Sequence, residues 1–176
     1  MGLSTIFFIS LLLLVVIERL LELRSAKRNS SRMLELGGRE FGEKHYPAII
    51  VMHTTFFASL VVEFYFRGAP LAPFWEIPFI LFALGQVLRF WTRRTMGDRW
   101  TTRILVIQGE RLIARGPFRY IQHPIYLAVV FELFSLPLIF GLYATCVVFT
   151  VWNALMLLTI RIPAEARALF WSQKSS

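Results

Sequence analysis

The chain has 176 residues, 56% of them hydrophobic, with 19 Lys and Arg against 11 Asp and Glu; that is the length of one domain and too apolar for an ordinary soluble core. Cys146 is its single cysteine, which excludes intrachain disulfides and cysteine-rich metal sites. The net charge of +8 suits anionic lipid headgroups rather than nucleic acid, because the basic residues flank apolar segments and no zinc-finger spacing or RNP-like pattern accompanies them.

Apart from Arg67, every Lys and Arg lies within residues 19–44, 89–119 or 161–174. Almost uncharged blocks run between, the pattern that the positive-inside rule leaves on a chain crossing a bilayer repeatedly. Windows of roughly 17 to 25 apolar residues place helices over residues 3–21, 48–66, 74–91, 125–140 and 142–160. The expected fold is therefore all-α: a polytopic membrane protein of about five transmembrane helices, forming one integral domain over residues 1–176. The first apolar run has no basic residue before it and no small-residue cleavage site after it, so it reads as a retained helix rather than a signal peptide. Residues 22–46 mix charges with Leu34, Leu36 and Phe41 and read as an amphipathic connector lying on the membrane surface. Residues 93–122 form the longest polar stretch; Ile104 and Val106 alternate before Gly109, so a partly extended loop able to fold over a site is expected. The turn at Gly141 is short enough to make the last two helices an antiparallel hairpin. Every basic segment then falls on the cytosolic side, with the N-terminus outside and the C-terminus inside.

Two clusters at the cytosolic boundary could carry chemistry. Residues 116–126 read Gly-Pro-Phe-Arg-Tyr-Ile-Gln-His-Pro-Ile-Tyr. Pro124 suits the first turn of a helix, whose free N–H groups and positive end favour an anionic ligand group, with His123 and Tyr126 adding side-chain hydrogen bonds. An interfacial aromatic belt with a capping histidine accounts for the same residues equally well. The second cluster is Arg161-Ile162-Pro163-Ala164-Glu165, in which Arg161 and Glu165 share a helix face unless Pro163 breaks it; a plain interfacial ion pair, worth about 0 to 1 kcal/mol, is the simpler account. The hairpin brings the two clusters together, which makes a composite site. Glu132 lies about 13 Å deeper than His123 along its helix, and Asn153 lies at similar depth on the next. An intramembrane carboxylate is a functional candidate by default, although a Glu132–Asn153 hydrogen bond locking the hairpin explains the pair as well. His53 and Glu63 are too far apart along one helix to share a metal ion and read as interhelical contacts.

In their order, residues 116–126, Arg161 and Glu165, together with residues 18–23, His45-Tyr46-Pro47 and Trp100-Thr101-Thr102-Arg103, resemble the isoprenylcysteine carboxyl methyltransferase family of membrane methyltransferases, in particular its small bacterial members. The resemblance covers nearly the whole chain. It implies an S-adenosylmethionine site at His123, Pro124, Ile125 and Tyr126, covered by Arg103, Glu110, Arg111, Leu112, Ile113 and Phe118, within a cofactor and catalytic half over residues 93–176. Glu165 matches a family residue that contacts the cofactor, and Arg161 one that faces the acceptor, with Glu132 and Asn153 as further acceptor candidates. Phe118 replaces a frequent Tyr, Gln122 replaces the Arg before His-Pro, and Ala166 replaces a second Glu, departures that point away from prenylcysteine while leaving methyl transfer intact.

The expectation is an S-adenosylmethionine-dependent O-methyltransferase in the bacterial plasma membrane, its site facing the cytosol, acting on a lipophilic acceptor from the bilayer such as an alkylpyrone or alkylresorcinol, with no nucleic acid and no metal. The alternatives are an isoprenylcysteine-type carboxyl methyltransferase, a phospholipid N-methyltransferase, for which a cationic Arg161 is poorly placed, and a non-enzymatic membrane scaffold. The charge pattern makes one direct prediction: reporter fusions after Gly68 and at the C-terminus should lie on opposite sides of the membrane, and reporters on the same side would remove the five-helix topology.

Overall fold

The computed structural model describes residues 2–68 and 71–174. Its elements in chain order are α1 (Leu3–Glu35), β1 (Arg39–Phe41), α2 (Tyr46–Phe66), α3 (Glu76–Met96), β2 (Ile104–Val106), α4 (Pro124–Ile139), α5 (Tyr143–Met156) and α6 (Ile162–Gln173), with a π-helical turn at Leu157–Arg161 joining the last two. The architecture is helical as expected, with one addition. Arg39 pairs with Val106 and Phe41 with Ile104 in a short antiparallel ribbon, so the 93–122 loop and the segment after α1 are held together. The ribbon packs through Phe41, Ile104 and Val106 on Ala164 and Ala168 of α6.

The expected surface connector over residues 22–46 is not what forms. Without Gly or Pro to interrupt it, α1 runs unbroken for 33 residues, about 50 Å at 1.5 Å per residue, which exceeds the ~30 Å hydrocarbon layer. It stops at Gly37, whose φ of 82° is the left-handed conformation that favours glycine, with Gly38 N–H bonded to Met33 C=O at 2.8 Å. The projecting part is tied to the end of α3, where Asn29 donates to the Trp100 carbonyl at 2.9 Å.

Glycine also sets the closest helix pair. A Cβ at Gly85 would sit 3.0 Å from Phe131 Cβ, so α3 and α4 pack nearly backbone to backbone. At the opposite end from the ribbon, aromatic rings fill the core: Phe8 stacks on Phe64 at 3.7 Å, and Phe140 meets both edge-on. The expected α4–α5 hairpin is present, turning at Gly141 with φ 63°. Glu63 is an interhelical contact, as expected: its carboxylate accepts from the N–H groups of Ala144 and Thr145 at 3.2 and 2.7 Å, capping α5. Pro163 does not break the last helix. It falls in the first turn of α6, directly after the π turn, so residues Tyr143–Gln173 make one rod.

That rod and Glu43–Phe66 are each long and apolar enough to cross a bilayer, while Pro124–Ile139 is apolar but shorter. Helices α1 and α3 carry charges inside the bundle instead. Glu22 accepts from Arg89 and Arg93 at 3.3 and 3.1 Å and pairs closely with Arg19. Glu132 accepts from Arg89 at 3.0 Å and Gln86 at 3.2 Å, with Arg19 at 3.5 Å. Both carboxylates are buried. The expected Glu132–Asn153 bond is therefore not made, because guanidinium partners from α1 and α3 satisfy the carboxylate first.

Removing one member of a buried ionic group leaves the others uncompensated, at a cost of about 3 to 5 kcal/mol. Glu132→Leu should accordingly lower thermal stability in detergent far more than Glu63→Ala, which removes a helix cap worth about 0.5 to 2 kcal/mol; equal losses in unfolding temperature would mean the network contributes no more than the cap.

Candidate functional site

A cavity of about 530 Å³ lies among α1, α2, α4 and α5 at the ribbon end of the bundle. Its walls are apolar, from Val16, Leu20, Ile49, Phe57, Val129 and Met156, whereas Arg19, Glu22, His53, Arg89 and Asn153 supply polar groups within it. Leu20, Leu23 and Ile50 line the cavity and are also exposed, so it opens sideways between α1 and α2. Toward the far end the two helices meet, where Phe8 stacks on Phe64.

At the mouth, the hairpin brings the two sequence clusters into contact. His123 immediately precedes α4, and Glu165 lies in the first turn of α6. His123 Nδ1 and Glu165 Oε2 approach to 3.3 Å. Neither atom makes a hydrogen bond, although both are buried. The His123 and Tyr126 rings stack at 5.4 Å, and the Arg161 guanidinium lies 6.0 Å from the Tyr126 ring. Arg161 also donates to the Thr102 carbonyl at 3.2 Å, which fastens the loop over the mouth.

The loop is held by charge on its other side. Arg103 Nη1 donates to both carboxylate oxygens of Glu40, at 3.0 and 2.9 Å, and the guanidinium covers the Tyr46 ring at 4.7 Å. Hydrogen bonding to Glu40 raises the Arg103 pKa above its ordinary value, so this guanidinium stays charged at any physiological pH. Tyr46 in turn bonds Thr102 Oγ1 at 2.9 Å.

The sequence-predicted residues divide accordingly. Ile125, Tyr126, Asn153 and Arg161 line the cavity; His123 and Glu165 meet beside it, and Pro124 is buried at the start of α4. Glu132 does not line the cavity but lies behind it, bound to Arg19 and Arg89, which do. Among the covering residues, Glu110 pairs with Arg99, and Arg99 donates to the Arg111 carbonyl at 2.7 Å. The strip of Glu110, Arg111, Leu112 and Ile113 is thus anchored at the end of α3, with Arg111 and Leu112 exposed. Phe118 is half-buried in the 3-10 turn Gly116–Arg119. His53 Nδ1 bonds Ile49 of its own helix at 2.9 Å, and its ring lines the cavity. Sequence reasoning passed over Arg19, Glu22 and Arg89 as boundary charges; their signal was position, since each falls at or inside the end of an apolar run.

The profile of the Isoprenylcysteine carboxyl methyltransferase (ICMT) family matches residues 78–171, from α3 through α6. A Bacillus subtilis (strain 168) protein named "Uncharacterized protein YpbQ" is 36% identical over 160 residues, spanning 90% of this chain and 94% of that one. No solved structure matches the chain.

One backbone position controls the approach to His123. Gly116 has φ 60°, and a Cβ there would lie 2.4 Å from Thr95 Oγ1. Gly116→Ala should displace the segment that carries His123, whereas Gly109→Ala, with open space around it, meets only the backbone penalty of about 1 to 2 kcal/mol. Thermal unfolding of the two variants should separate them, with Gly116→Ala the less stable.

Proposed function

The chain belongs to the isoprenylcysteine carboxyl methyltransferase family of membrane methyltransferases, and from that premise we propose that it is an S-adenosylmethionine-dependent O-methyltransferase whose acceptor is a lipophilic molecule dissolved in the bilayer, such as an alkylpyrone or alkylresorcinol. The observation that carries this reading is the meeting of His123 with Glu165, at 3.3 Å, beside a sideways-opening cavity that Arg161 and Tyr126 line.

The residues suit the group they would hold. His123 Nδ1 and Glu165 Oε2 are buried and face each other at 3.3 Å without forming a hydrogen bond, which leaves hydrogen-bonding capacity for a ligand to take up. Glu165 would face the cationic part of the cofactor, with His123, Pro124, Ile125 and Tyr126 beside it and Arg103, Glu110, Arg111, Leu112, Ile113 and Phe118 on the covering side. Bound there, S-adenosylmethionine would supply an electrophilic methyl group. The chain's own contribution is alignment, which is worth on the order of 7 to 11 kcal/mol in ideal cases. Arg161 would orient the acceptor oxygen and favour its ionised form. The cavity's guanidinium groups, Arg19, Arg89 and Arg161, outnumber its one lining carboxylate, Glu22, which supports the same charge state. A carboxylate acceptor, as the family's name describes, would use Arg161 equally well.

The reading includes five crossings of the bacterial plasma membrane with the site toward the cytosol. Charges count against α1 and α3 as spans only when they face lipid, and here Arg19, Glu22 and Arg89 are paired inside the bundle, where an ionic group is tolerated.

Two measurements on purified protein test the assignment of residues. His123→Ala should weaken S-adenosylhomocysteine binding about tenfold or more, in line with the 1.5 to 3 kcal/mol of a hydrogen bond to a charged group. Arg161→Lys keeps the charge but loses the planar grip, so methyl transfer should fall while cofactor affinity holds; Glu165→Gln should instead act on cofactor affinity. Equal loss of affinity in the Arg161 and Glu165 variants would remove Arg161 from the acceptor side, and absence of binding by the wild-type protein would remove the enzyme reading.

A further inference from the structure

We propose that His53 and Asn153 form a second recognition point in the cavity, for a hydroxyl that the acceptor carries apart from the oxygen to be methylated. The inference rests on the O-methyltransferase reading and narrows its substrate class to acceptors with a second hydroxyl, which favours an alkylresorcinol over an alkylpyrone, whose carbonyl oxygen can only accept.

The His53 ring has a defined polarity. Its Nδ1 lies 2.9 Å from the Ile49 carbonyl oxygen, which can only accept, so in the neutral ring Nδ1 carries the proton and Nε2 presents a lone pair. Nε2 has no hydrogen-bond partner among the described residues, and the ring lines the cavity. Asn153 lines the same cavity from α5. The packing of α2 on α5 sets its level: Ser59 bonds Thr145 at 2.8 Å, and Phe56 meets Phe149 at 5.4 Å. Because the helices are antiparallel, continuing that register brings His53 level with Asn153. The Asn153 amide, buried and facing the cavity, likewise has no partner among the described residues.

The neighbouring carboxylates are already committed, although Arg19 Nε and Arg89 Nε are buried without a partner among the described residues. Glu22 and Glu132 are satisfied by Arg19, Arg89, Arg93 and Gln86. An acceptor lone pair and an amide donor thus remain free in an apolar-walled space, where unmatched polar groups are costly. A hydroxyl satisfies both, donating to His53 Nε2 and accepting from Asn153 Nδ2. A carboxylate has no proton to give and would face the Nε2 lone pair. Along α5 the pair lies about 12 Å from Arg161, and the long Arg161 side chain, which leans toward the helix N-terminus, shortens that gap. A ring with oxygens at two positions could bridge it, while an acceptor with a single polar end would leave His53 and Asn153 without partners.

The test compares an alkylresorcinol with the alkylphenol of the same chain that lacks one hydroxyl, by calorimetry on the detergent-solubilised full chain, alongside methyl transfer to each. The resorcinol should bind wild type about tenfold more tightly, and His53→Phe and Asn153→Leu should each bring the two affinities within about threefold, as expected for one lost hydrogen bond. Equal wild-type affinities, no binding of either compound, or an unchanged ratio in folded variants would overturn the proposal; the wild-type ratio decides it should both variants fail to fold. Discrimination in binding without any methyl transfer would sink the enzyme reading while leaving the recognition point standing, whereas methyl transfer without discrimination would do the reverse.

Discussion

Two buried carboxylates organise this molecule. Glu22 on α1 and Glu132 on α4 are joined through Arg89 of α3, which donates to both, and Arg19 pairs with both from the α1 side. In a bilayer each of these charges alone would be expelled or neutralised, since the desolvation penalty is several kcal/mol per ion. Together they are tolerable only if three helices hold their places. The network therefore fixes the placement of α1 relative to the α3–α4 pair with a specificity that apolar packing against lipid cannot supply, because hydrocarbon tails compete for the same contacts.

That constraint shapes the space around it. The close approach of α3 to α4 at Gly85 and the aromatic cluster of Phe8, Phe64 and Phe140 close the bundle on one side and at one end. With α1 pinned to α3 and α4 by charge, α1 and α2 separate toward the ribbon end, and the cavity fills the gap. The ribbon and its loop then cap it. Glu40 holds Arg103, Tyr46 holds Thr102, and Arg161 holds the Thr102 carbonyl, so the covering segment is bound to α2 and to the α5–α6 rod at once.

The site has two halves of different origin in the chain. The family profile spans residues 78–171 and so includes His123, Tyr126, Arg161 and Glu165, the groups assigned to the cofactor and to the reacting oxygen. Residues from α1 and α2, Arg19, Glu22 and His53 among them, lie outside it and furnish the opposite wall. On the proposed reading, reacting groups and remote acceptor contacts come from different parts of the chain, a division that suits binding energy drawn from parts of the substrate remote from the reacting centre.

Much of this was written in the sequence. The apolar blocks located five helical rods because hydropathy is a local property, and Gly141 announced the hairpin because a left-handed glycine in so short a link leaves no other turn. The same hairpin made the meeting of His123 with Glu165 deducible before any coordinates, since both lie at the boundary of adjacent antiparallel helices. What local pattern could not decide was the partner of each buried charge. Glu132 faced Asn153 equally well on a helical diagram; only the packing of α3, set by Gly85, put Arg89 within reach of it. The continuation of α1 beyond its apolar stretch escaped detection for a related reason: its charged residues resemble those of a surface helix, and the hydrogen bonds that anchor it come from residues 97–100, far along the chain. His53 shows the limit most plainly. Its residue type and depth were legible, but whether its free nitrogen met another helix or a cavity depended on the separation of α1 from α2, a consequence of interactions distant in sequence.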